Sequence, residues 1–362
     1  MGFNNKVHIA IFVKNLSSGG AEKQSVLLAK ALSNDYEVHY LIFNGDKIHK
    51  KYLDMLAENE AIKIVSFKGG LLKRFRHFVI YLKQYHIQFL FSYLTAANVY
   101  ACCAKLFCKI KVYTGLRNAY LPYIKHFADM MMTNCFADGT VVNCFSGKDY
   151  FCAHGFNSKR LVVIPNCFEH IDSYNEKIPS KCPHIVTVGR FVAQKDYETA
   201  IRTIASIKST GRNVYFDIVG YGYLETDVRR WVKQYEIEDI TSIYINPNNI
   251  AELLTKADIY LSTSLFEGTS NSIMEAMNAD LPIVCTNVGD NAYLVKEEQN
   301  GLLVDVKDVN RLTDALCKLL DDAELRKNMG MFGKKHLTDN YSMETLGNAY
   351  MNIIENKKII NR

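Results

Sequence analysis

Residues 184–209 read HIVTVGRFVAQKDYETAIRTIASIKS, and this stretch decides the fold class. The run HIVTVGR is short and rich in β-branched residues, which is typical of a buried strand. After a polar loop, YETAIRTIASIKS carries apolar residues at helical spacing, which predicts an amphipathic helix. A strand, a loop and a helix in this order form the βα unit from which parallel sheets are built.

The same βα unit recurs along the chain. Strand-like runs on the C-terminal side are YFDIVG, TSIYI, DIYLSTS, PIVCT and GLLVDV, and those on the N-terminal side are KVHIAIFV, EVHYLIF, IKIVSF, IQFLFSY, KVYTGLR, GTVVNC and LVVIPN. A chain of 362 residues exceeds one ordinary core, and the polar stretch 168–183 is typical of a linker. We therefore predict an α/β protein with two Rossmann-like domains, residues 1–172 and 173–340, that bind ligands in a shared cleft at the carboxyl ends of their strands.

The composition indicates a folded protein without a membrane span. Hydrophobic residues make up 48% of the chain and charged residues 22%, which excludes a disordered chain. The apolar run KVHIAIFV is shorter than a membrane span, so we interpret it as the first strand and not as a signal peptide. The ten cysteines form no CxxC pair and no zinc-ligand spacing, which predicts free thiols in a reducing cytoplasm and no metal site.

The positive charge is unevenly distributed. Residues 61–128 hold 11 Lys and Arg and no acidic residue, within a chain whose net charge is +5. Such a stretch usually faces an anionic partner, and since no nucleic-acid-binding motif accompanies it, we expect an anionic membrane surface or a phosphorylated acceptor and no nucleic acid. The predicted contact is a basic amphipathic helix lying on the inner face of the cell membrane, and the alternative is an ordinary core-facing helix with solvated charges. Its apolar side is Leu72, Phe75, Val79 and Leu82, and its cations are Lys73, Arg74, Arg76 and Lys83.

Three loops that follow predicted strands carry candidate binding residues. Gly19 and Gly20, in SSGGAE, let a phosphate approach a helix N-terminus, although a plain βα turn fits equally well. In VGRFVAQKD, two cations could neutralise a diphosphate leaving group. In STSLFEGTSNSIMEAM, two glutamates eight residues apart could accept hydrogen bonds from sugar hydroxyls and a ribose diol. The four charged candidates are Arg190, Lys195, Glu267 and Glu275.

These motifs together resemble glycosyltransferase family 4, the retaining family with the GT-B fold and an E-x7-E motif. The segments SGGAEK, VIPN, VGR with QKD, IVGYG, EGTSNSIMEAM, LPIV and NGLLV follow one another in the family's order. The resemblance covers nearly the whole chain and is strongest over 184–335. It also implies that a last helix, within 341–362, packs back on the N-terminal domain.

The resemblance implies a role for each matching residue. Arg190 and Lys195 match the residues that bind the donor diphosphate, Glu267 the glutamate beside the transferred sugar, and Glu275 the one that holds the ribose. Glu267, Arg190 and Lys195 are the predicted catalytic residues. The remaining donor-binding positions are Gly19, Gly20, Gly268, Thr269, Ser270 and Asn271. For the acceptor, our candidates are Arg117 and Asn118, at the end of KVYTGLRN.

The implied activity is retaining transfer of a hexosyl or N-acetylhexosaminyl group from a nucleotide-diphosphate sugar, expected to be a UDP-sugar. The expected acceptor is a glycan or a polyprenyl-diphosphate-linked oligosaccharide in bacterial surface polysaccharide assembly, and family members need no metal or other cofactor. Cys167 and Asp280 stand where the family usually has glycine. The alternatives are a nucleotide-sugar epimerase or glycan phosphorylase on the same fold, and a catalytically inactive subunit that binds a partner glycosyltransferase.

Overall fold

The computed structural model describes residues 6–17, 19–46, 48–117, 122–170, 172 and 182–356. The chain forms two compact units. The first unit comprises Met1–Glu169 together with Met343–Arg362, and the second unit comprises His170–Ser342. The second unit is therefore inserted, in chain order, between the body of the first unit and its last helix.

Strands and helices alternate through both units. The strands are β1 (His8–Val13), β2 (Glu37–Ile42), β3 (Ile62–Ser66), β4 (Phe89–Tyr93), β5 (Lys111–Leu116), β6 (Gly139–Val142), β7 (Leu161–Val163), β8 (His184–Arg190), β9 (Tyr215–Tyr221), β10 (Thr241–Ile245), β11 (Ile259–Ser262), β12 (Ile283–Thr286) and β13 (Gly301–Val304). The α-helices are α1 (Gly20–Leu32), α2 (Lys50–Ala57), α3 (Leu71–Gln84), α4 (Thr95–Lys105), α5 (Tyr123–Met131), α6 (Phe145–Ala153), α7 (Tyr197–Ser209), α8 (Glu225–Gln234), α9 (Ile250–Lys256), α10 (Asn271–Asn278), α11 (Asn291–Leu294), α12 (Val309–Asp321), α13 (Ala323–Tyr341) and α14 (Met343–Ile354).

The first unit contains a parallel sheet in the order β3-β2-β1-β4-β5-β6-β7, seven strands within the described residues. The direction of sheet growth reverses between β1 and β4. At such a reversal the crossover helices leave on opposite faces, so the carboxyl ends of the two strands border an open crevice. Tyr350 of α14 is buried in the core formed by β1, β2 and α1.

The second unit repeats this plan with a parallel sheet in the order β10-β9-β8-β11-β12-β13, six strands within the described residues. Here the reversal lies between β8 and β11. Ile185 of β8 and Leu261 of β11 pack in one core with Ile201 of α7 and Leu316 of α12. The β-branched and apolar runs identified in the sequence are thus the buried strands of both sheets.

The predicted apolar side of α3 is only partly correct. Phe78 and Leu82 are buried, and Phe75 and Val79 pack against the same core cluster, so this side of the helix faces the protein. Leu72, which the pattern placed with them, is 84% exposed. The core-facing alternative therefore describes most of this side of α3. Its aromatic and aliphatic side chains pack toward the core because burying apolar surface away from water is favourable.

The outer side of α3 still combines apolar and basic residues. Arg74 does not belong to it, since its Nη1 donates a 2.9 Å hydrogen bond to Asn44 and its guanidinium lies over the Phe43 ring. The exposed residues of α3 include Leu71, Leu72, Lys73, Arg76, Ile80 and Lys83.

Among the described residues, no helix combines the length and the apolar character that a membrane span requires.

Asp280 forms a buried ion pair directly after α10. Its backbone has a φ of 59°, a left-handed conformation that Gly, Asn and Asp adopt most readily. The Nζ of Lys334, on α13, lies 2.8 Å from Asp280 Oδ2, and both side chains are almost inaccessible to solvent. The carboxylate thus fixes the end of α10 against α13, which a glycine at this position could not do.

We predict that Asp280→Ala lowers the free energy of unfolding of the second unit by about 3 kcal/mol or more. The change removes the carboxylate opposite a buried ammonium, and breaking a buried pair by removing one partner carries a cost of this size. Urea unfolding followed by the fluorescence of Trp231, the chain's single tryptophan, reports on this unit. Lys335→Ala is the matched control, because its pair with Asp339 is exposed; equal losses in both variants would contradict the assignment.

Candidate functional site

Two loops meet at the carboxyl ends of β8 and β11. The chain leaves β8 at Arg190 and makes a short 3-10 turn before α7, while the loop after β11 leads into α10. Backbone bonds join the loops, since the Leu265 amide donates to the Gln194 carbonyl at 2.8 Å. Thr263 adds a side-chain link, its hydroxyl donating to the carbonyls of Lys195 and Asp196 at 3.1 and 2.9 Å. The strand reversal therefore brings the two predicted donor motifs together.

The centre of this arrangement is an ion pair between Lys195 and Glu267. Lys195 Nζ lies 2.5 Å from Glu267 Oε1, and the two side chains are only 16% and 9% exposed. The Ser264 hydroxyl donates a 2.8 Å hydrogen bond to the same oxygen. Gly289, at a φ of 55°, lies so close that a Cβ there would collide with the Glu267 carbonyl oxygen. The loop therefore holds the carboxylate in one position, with little water to weaken its attraction to the ammonium.

The other two charged candidates lie nearby on the same elements. Arg190, the last residue of β8, is exposed, and it forms no ion pair with any described residue. Glu275 is half-buried on α10. Burial raises the pKa of the Tyr260 hydroxyl, and the negative charges of Glu275 and Glu267 add to the rise. Both glutamates therefore act on one buried residue of β11.

The loop before α10 contains the remaining predicted donor-binding residues. Ser270 occupies the N-cap position, but its side chain makes no capping hydrogen bond and lies 3.2 Å from the Ser272 hydroxyl. Gly268 and Thr269 are half-buried, and Asn271 is exposed. The first amides of α10 are thus not satisfied by the Ser270 hydroxyl, whereas preferred N-cap side chains usually accept a bond from them.

In the first unit, Gly19 and Gly20 begin α1 as the motif predicted. Gly19 is the N-cap residue, and the Glu22 carboxylate folds back over it to a position that a Gly19 side chain would occupy. The Ser17 hydroxyl hydrogen-bonds to Glu22. The positive end of the α1 dipole is therefore already faced by a carboxylate of its own first turn, an arrangement that the glycine motif did not reveal.

A pocket of about 300 Å3 lies at the reversal point of the first sheet. Arg117, the predicted acceptor residue, lines it and is held by two aromatic residues of the core. Its Nη2 donates to the Tyr350 hydroxyl at 3.1 Å, and its guanidinium lies 4.4 Å from the centroid of Tyr93. The other predicted acceptor residue, Asn118, lies outside the described residues. Further lining residues include Lys14, Asn15, Glu22, Leu94, Thr95, Lys125 and Asp129.

Asp129 is a pocket residue that sequence reasoning missed. It is the first acidic residue after the acid-free stretch and lies on α5, where it is almost fully buried. Thr95 and Asn98 donate hydrogen bonds of 2.6 and 2.8 Å to its two carboxylate oxygens. Burial raises the pKa of the Asp129 carboxyl, although these hydrogen bonds oppose the rise. The only sequence signal that could have identified Asp129 is its position directly after residues 61–128, which contain Lys and Arg but no acidic residue.

Comparison with known proteins matches part of the chain to one family model. Residues 170–336 match the family Glycosyl transferases group 1. The matched segment contains all four charged candidates and the Lys195–Glu267 ion pair. Within the described residues, no group of three or more His, Cys, Asp or Glu side chains could hold a metal ion.

Relatives and solved structures extend over most of the chain. It is 24% identical, over 88% of its length and 92% of the relative's, to the N-acetylgalactosamine-N,N'-diacetylbacillosaminyl-diphospho-undecaprenol 4-alpha-N-acetylgalactosaminyltransferase of Campylobacter jejuni. It is 25% identical, over 91% and 94%, to a second Campylobacter jejuni enzyme, GalNAc-alpha-(1->4)-GalNAc-alpha-(1->3)-diNAcBac-PP-undecaprenol alpha-1,4-N-acetyl-D-galactosaminyltransferase. The crystal structure of Anabaena Alr3699/HepE in complex with UDP superposes with a TM-score of 0.81 at 16% identity, covering 97% of this chain and all of that one. The predicted α/β fold class, GT-B with two Rossmann-like domains, is confirmed.

We predict that Lys195→Ala lowers the free energy of unfolding by about 1–3 kcal/mol, because Glu267 loses its cation in a site from which water is largely excluded. Arg190→Ala should change the free energy of unfolding by less than about 0.5 kcal/mol, since an exposed charge at the end of a strand contributes little. Urea unfolding of both variants without ligand tests the difference. Equal stability of the two variants would show that the ion pair does not hold the loops together.

Proposed function

We propose that this protein is a retaining glycosyltransferase of family 4. The proposed reaction moves a sugar from a UDP-sugar to a glycan or a polyprenyl-diphosphate-linked oligosaccharide. The observation that carries the proposal is the Lys195–Glu267 ion pair at the sheet reversal, inside a segment that matches Glycosyl transferases group 1. The names of the two Campylobacter relatives, which specify undecaprenyl-diphosphate-linked acceptors and N-acetylgalactosamine transfer, support the acceptor and sugar classes.

In the proposed donor complex the two cations neutralise the diphosphate. Negative charge grows on that group as the bond to the sugar breaks, and cations already in place stabilise it without reorganisation. Arg190 is exposed and able to turn toward a ligand, whereas Lys195 is held by Glu267 and shares its charge with the arriving diphosphate. Metal is not part of this proposal, because the two side chains supply the compensating charge.

Glu267 and Glu275 bind different parts of the donor in this proposal. The bonds from Lys195 and Ser264 both end on Glu267 Oε1, and we assign the other oxygen to a hydroxyl of the transferred sugar. Glu275 accepts hydrogen bonds from the ribose diol, which suits an ionised carboxylate. The amides that begin α10 and the loop Gly268–Ser270 bind sugar and phosphate oxygens, and the departing diphosphate takes the acceptor proton during front-face transfer.

Arg190→Ala is predicted to lower turnover by roughly a hundredfold or more while leaving thermal stability unchanged. Thermal-shift screening of a nucleotide-sugar panel first identifies the donor, because a ligand selective for the native state raises the melting temperature. Release of UDP that depends on an added acceptor then measures turnover and distinguishes transfer from epimerisation. The matched control is Arg202→Ala, which changes an exposed arginine on α7. Near-normal turnover in Arg190→Ala would show that Arg190 does not stabilise the diphosphate.

The same proposal places the protein on the cytoplasmic face of the membrane as a peripheral protein. The exposed side of α3 carries Leu72 and Ile80 together with Lys73 and Arg76. Apolar side chains of this kind enter the headgroup region, and each nearby cation adds about 1 kcal/mol of attraction to anionic lipid. A membrane-attached enzyme meets a lipid-linked acceptor where that acceptor resides.

Lys73→Glu with Arg76→Glu should weaken binding to anionic liposomes at least tenfold, as two reversed charges imply. Co-sedimentation of wild type should be strong with anionic lipid, weak with neutral lipid and reduced by salt. The matched control reverses two exposed cations of the second unit, Arg202 and Lys233. Binding that is equal on neutral and anionic vesicles, or absent from both, would end the membrane proposal.

A further inference from the structure

An exposed tyrosine ends β9 beside the arginine that ends β8. Arg190 and Tyr221 are paired in the parallel register of the two strands. Their Cα atoms are therefore about 5 Å apart, and their side chains leave the same face of the sheet. Tyr221 is 55% exposed, and its side chain forms no hydrogen bond or ring contact with any residue that the structure describes. A large aromatic surface thus lies beside the exposed guanidinium of Arg190.

This face of the sheet is the one that α10 covers. Ile218, three residues before Tyr221, packs in the core that β8 and β9 share with α7 and α12. Side chains alternate between the two faces of a strand, so Tyr221 and its neighbour Arg190 lie on the face opposite that core. Tyr260 of β11 also lies on this opposite face, where it hydrogen-bonds with Ser272 of α10. The free ring therefore shares one side of the sheet with the helix to which we assign the ribose.

Glycines allow the chain after β9 to lie directly against the end of β8. A Cβ at Gly220 would collide with the carbonyl oxygen of Gly189. A Cβ at Gly222, which has a φ of 153°, would collide with the backbone of Phe191. The Phe191 amide also donates a 2.7 Å hydrogen bond to the Tyr221 carbonyl. The backbone of Tyr221 is therefore fixed against the loop that carries the two cations, so little entropy is lost when the ring contacts a ligand.

The groups on this side of the sheet match the parts of a nucleotide. A guanidinium such as that of Arg190 suits a phosphate, and a carboxylate such as that of Glu275 suits a ribose diol. An exposed aromatic ring suits a flat, uncharged heterocycle. β9 adjoins β8 on the side away from β11, so Tyr221 lies farther than Arg190 from the Glu267 loop to which we assign the sugar. The part of the donor left for the ring is its base.

We propose that Tyr221 binds the heterocyclic base of the donor nucleotide by stacking. The inference rests on the proposed transfer from a nucleotide-sugar, and it goes further by assigning the base to a residue of β9. A stacked ring contacts the flat face of a base and not its hydrogen-bonding edge. Tyr221 therefore contributes affinity for the donor and contributes little to the choice among bases.

The test compares UDP with ribose 5-diphosphate, which lacks only the base. In isothermal titration, Tyr221→Ala should weaken binding of UDP about tenfold, the size of effect that follows loss of a base-stacking ring. Binding of ribose 5-diphosphate should stay unchanged, and Tyr221→Phe should bind UDP as wild type does because the ring is retained. The matched control is Tyr215→Ala, which removes the exposed tyrosine at the other end of β9 and should change neither affinity.

Two further measurements examine the site and its base tolerance. Arg190→Ala should weaken UDP and ribose 5-diphosphate alike, because both probes keep the diphosphate. GDP is the third probe, and Tyr221→Ala should leave the ratio of GDP affinity to UDP affinity within about threefold of the wild-type ratio, since every base has a flat face.

Unchanged binding of UDP by Tyr221→Ala, or an equal loss for ribose 5-diphosphate, would overturn the inference. Loss of UDP binding in Tyr221→Phe would also overturn it, because the hydroxyl and not the ring would then be the binding group. Wild type that binds none of the three probes would overturn both this inference and the proposed donor. Binding of UDP that depends on Tyr221, without any sugar transfer, would contradict only the proposed function.

Discussion

The structure depends on a topological constraint that both units obey. In a parallel sheet whose order reverses, two adjacent strands send their following helices to opposite faces, and a crevice remains at their carboxyl ends. The reversal lies between β1 and β4 in the first unit and between β8 and β11 in the second. The pocket and the Lys195–Glu267 ion pair lie at these two places. The order of the strands therefore determines where the pocket and the ion pair lie.

Next to each reversal, a residue other than glycine has a positive φ. Leu94 has a φ of 71° at the start of α4 and lines the pocket, and Asp196 has a φ of 45° at the start of α7, beside the Lys195 turn. Non-glycine residues in this region cost free energy, and they persist only where surrounding contacts determine them. Thr199 donates a 2.7 Å hydrogen bond to Asp196, which compensates part of that cost. Asp196 is adjacent to Lys195, which we assign to the donor diphosphate.

The two units differ in how they balance charge. In the second unit Lys195 and Glu267 form a close ion pair, and in the proposed donor complex the diphosphate shares Lys195 with Glu267. In the first unit, Arg117 contacts the Tyr93 ring and the Tyr350 hydroxyl, and Asp129 is held by neutral donors. Opposite charges are thus paired directly in the second unit, whereas in the first unit the Arg117 and Asp129 side chains are each held by uncharged groups, in a pocket also lined by Lys14, Glu22 and Lys125.

The sequence by itself determined the fold class and the strands, because β-branched runs and helical spacing depend on local burial alone. It also identified Arg190, Lys195, Glu267 and Glu275 as candidates, because each lies in or follows a strand-end motif. Only the tertiary structure decided that Lys195 and Glu267 form a pair, since residues far apart in the chain meet through strand order. It likewise decided that Asp129 lines a pocket and that α3 turns Phe75 and Val79 inward, because periodicity defines the sides of a helix but not which side the sheet covers.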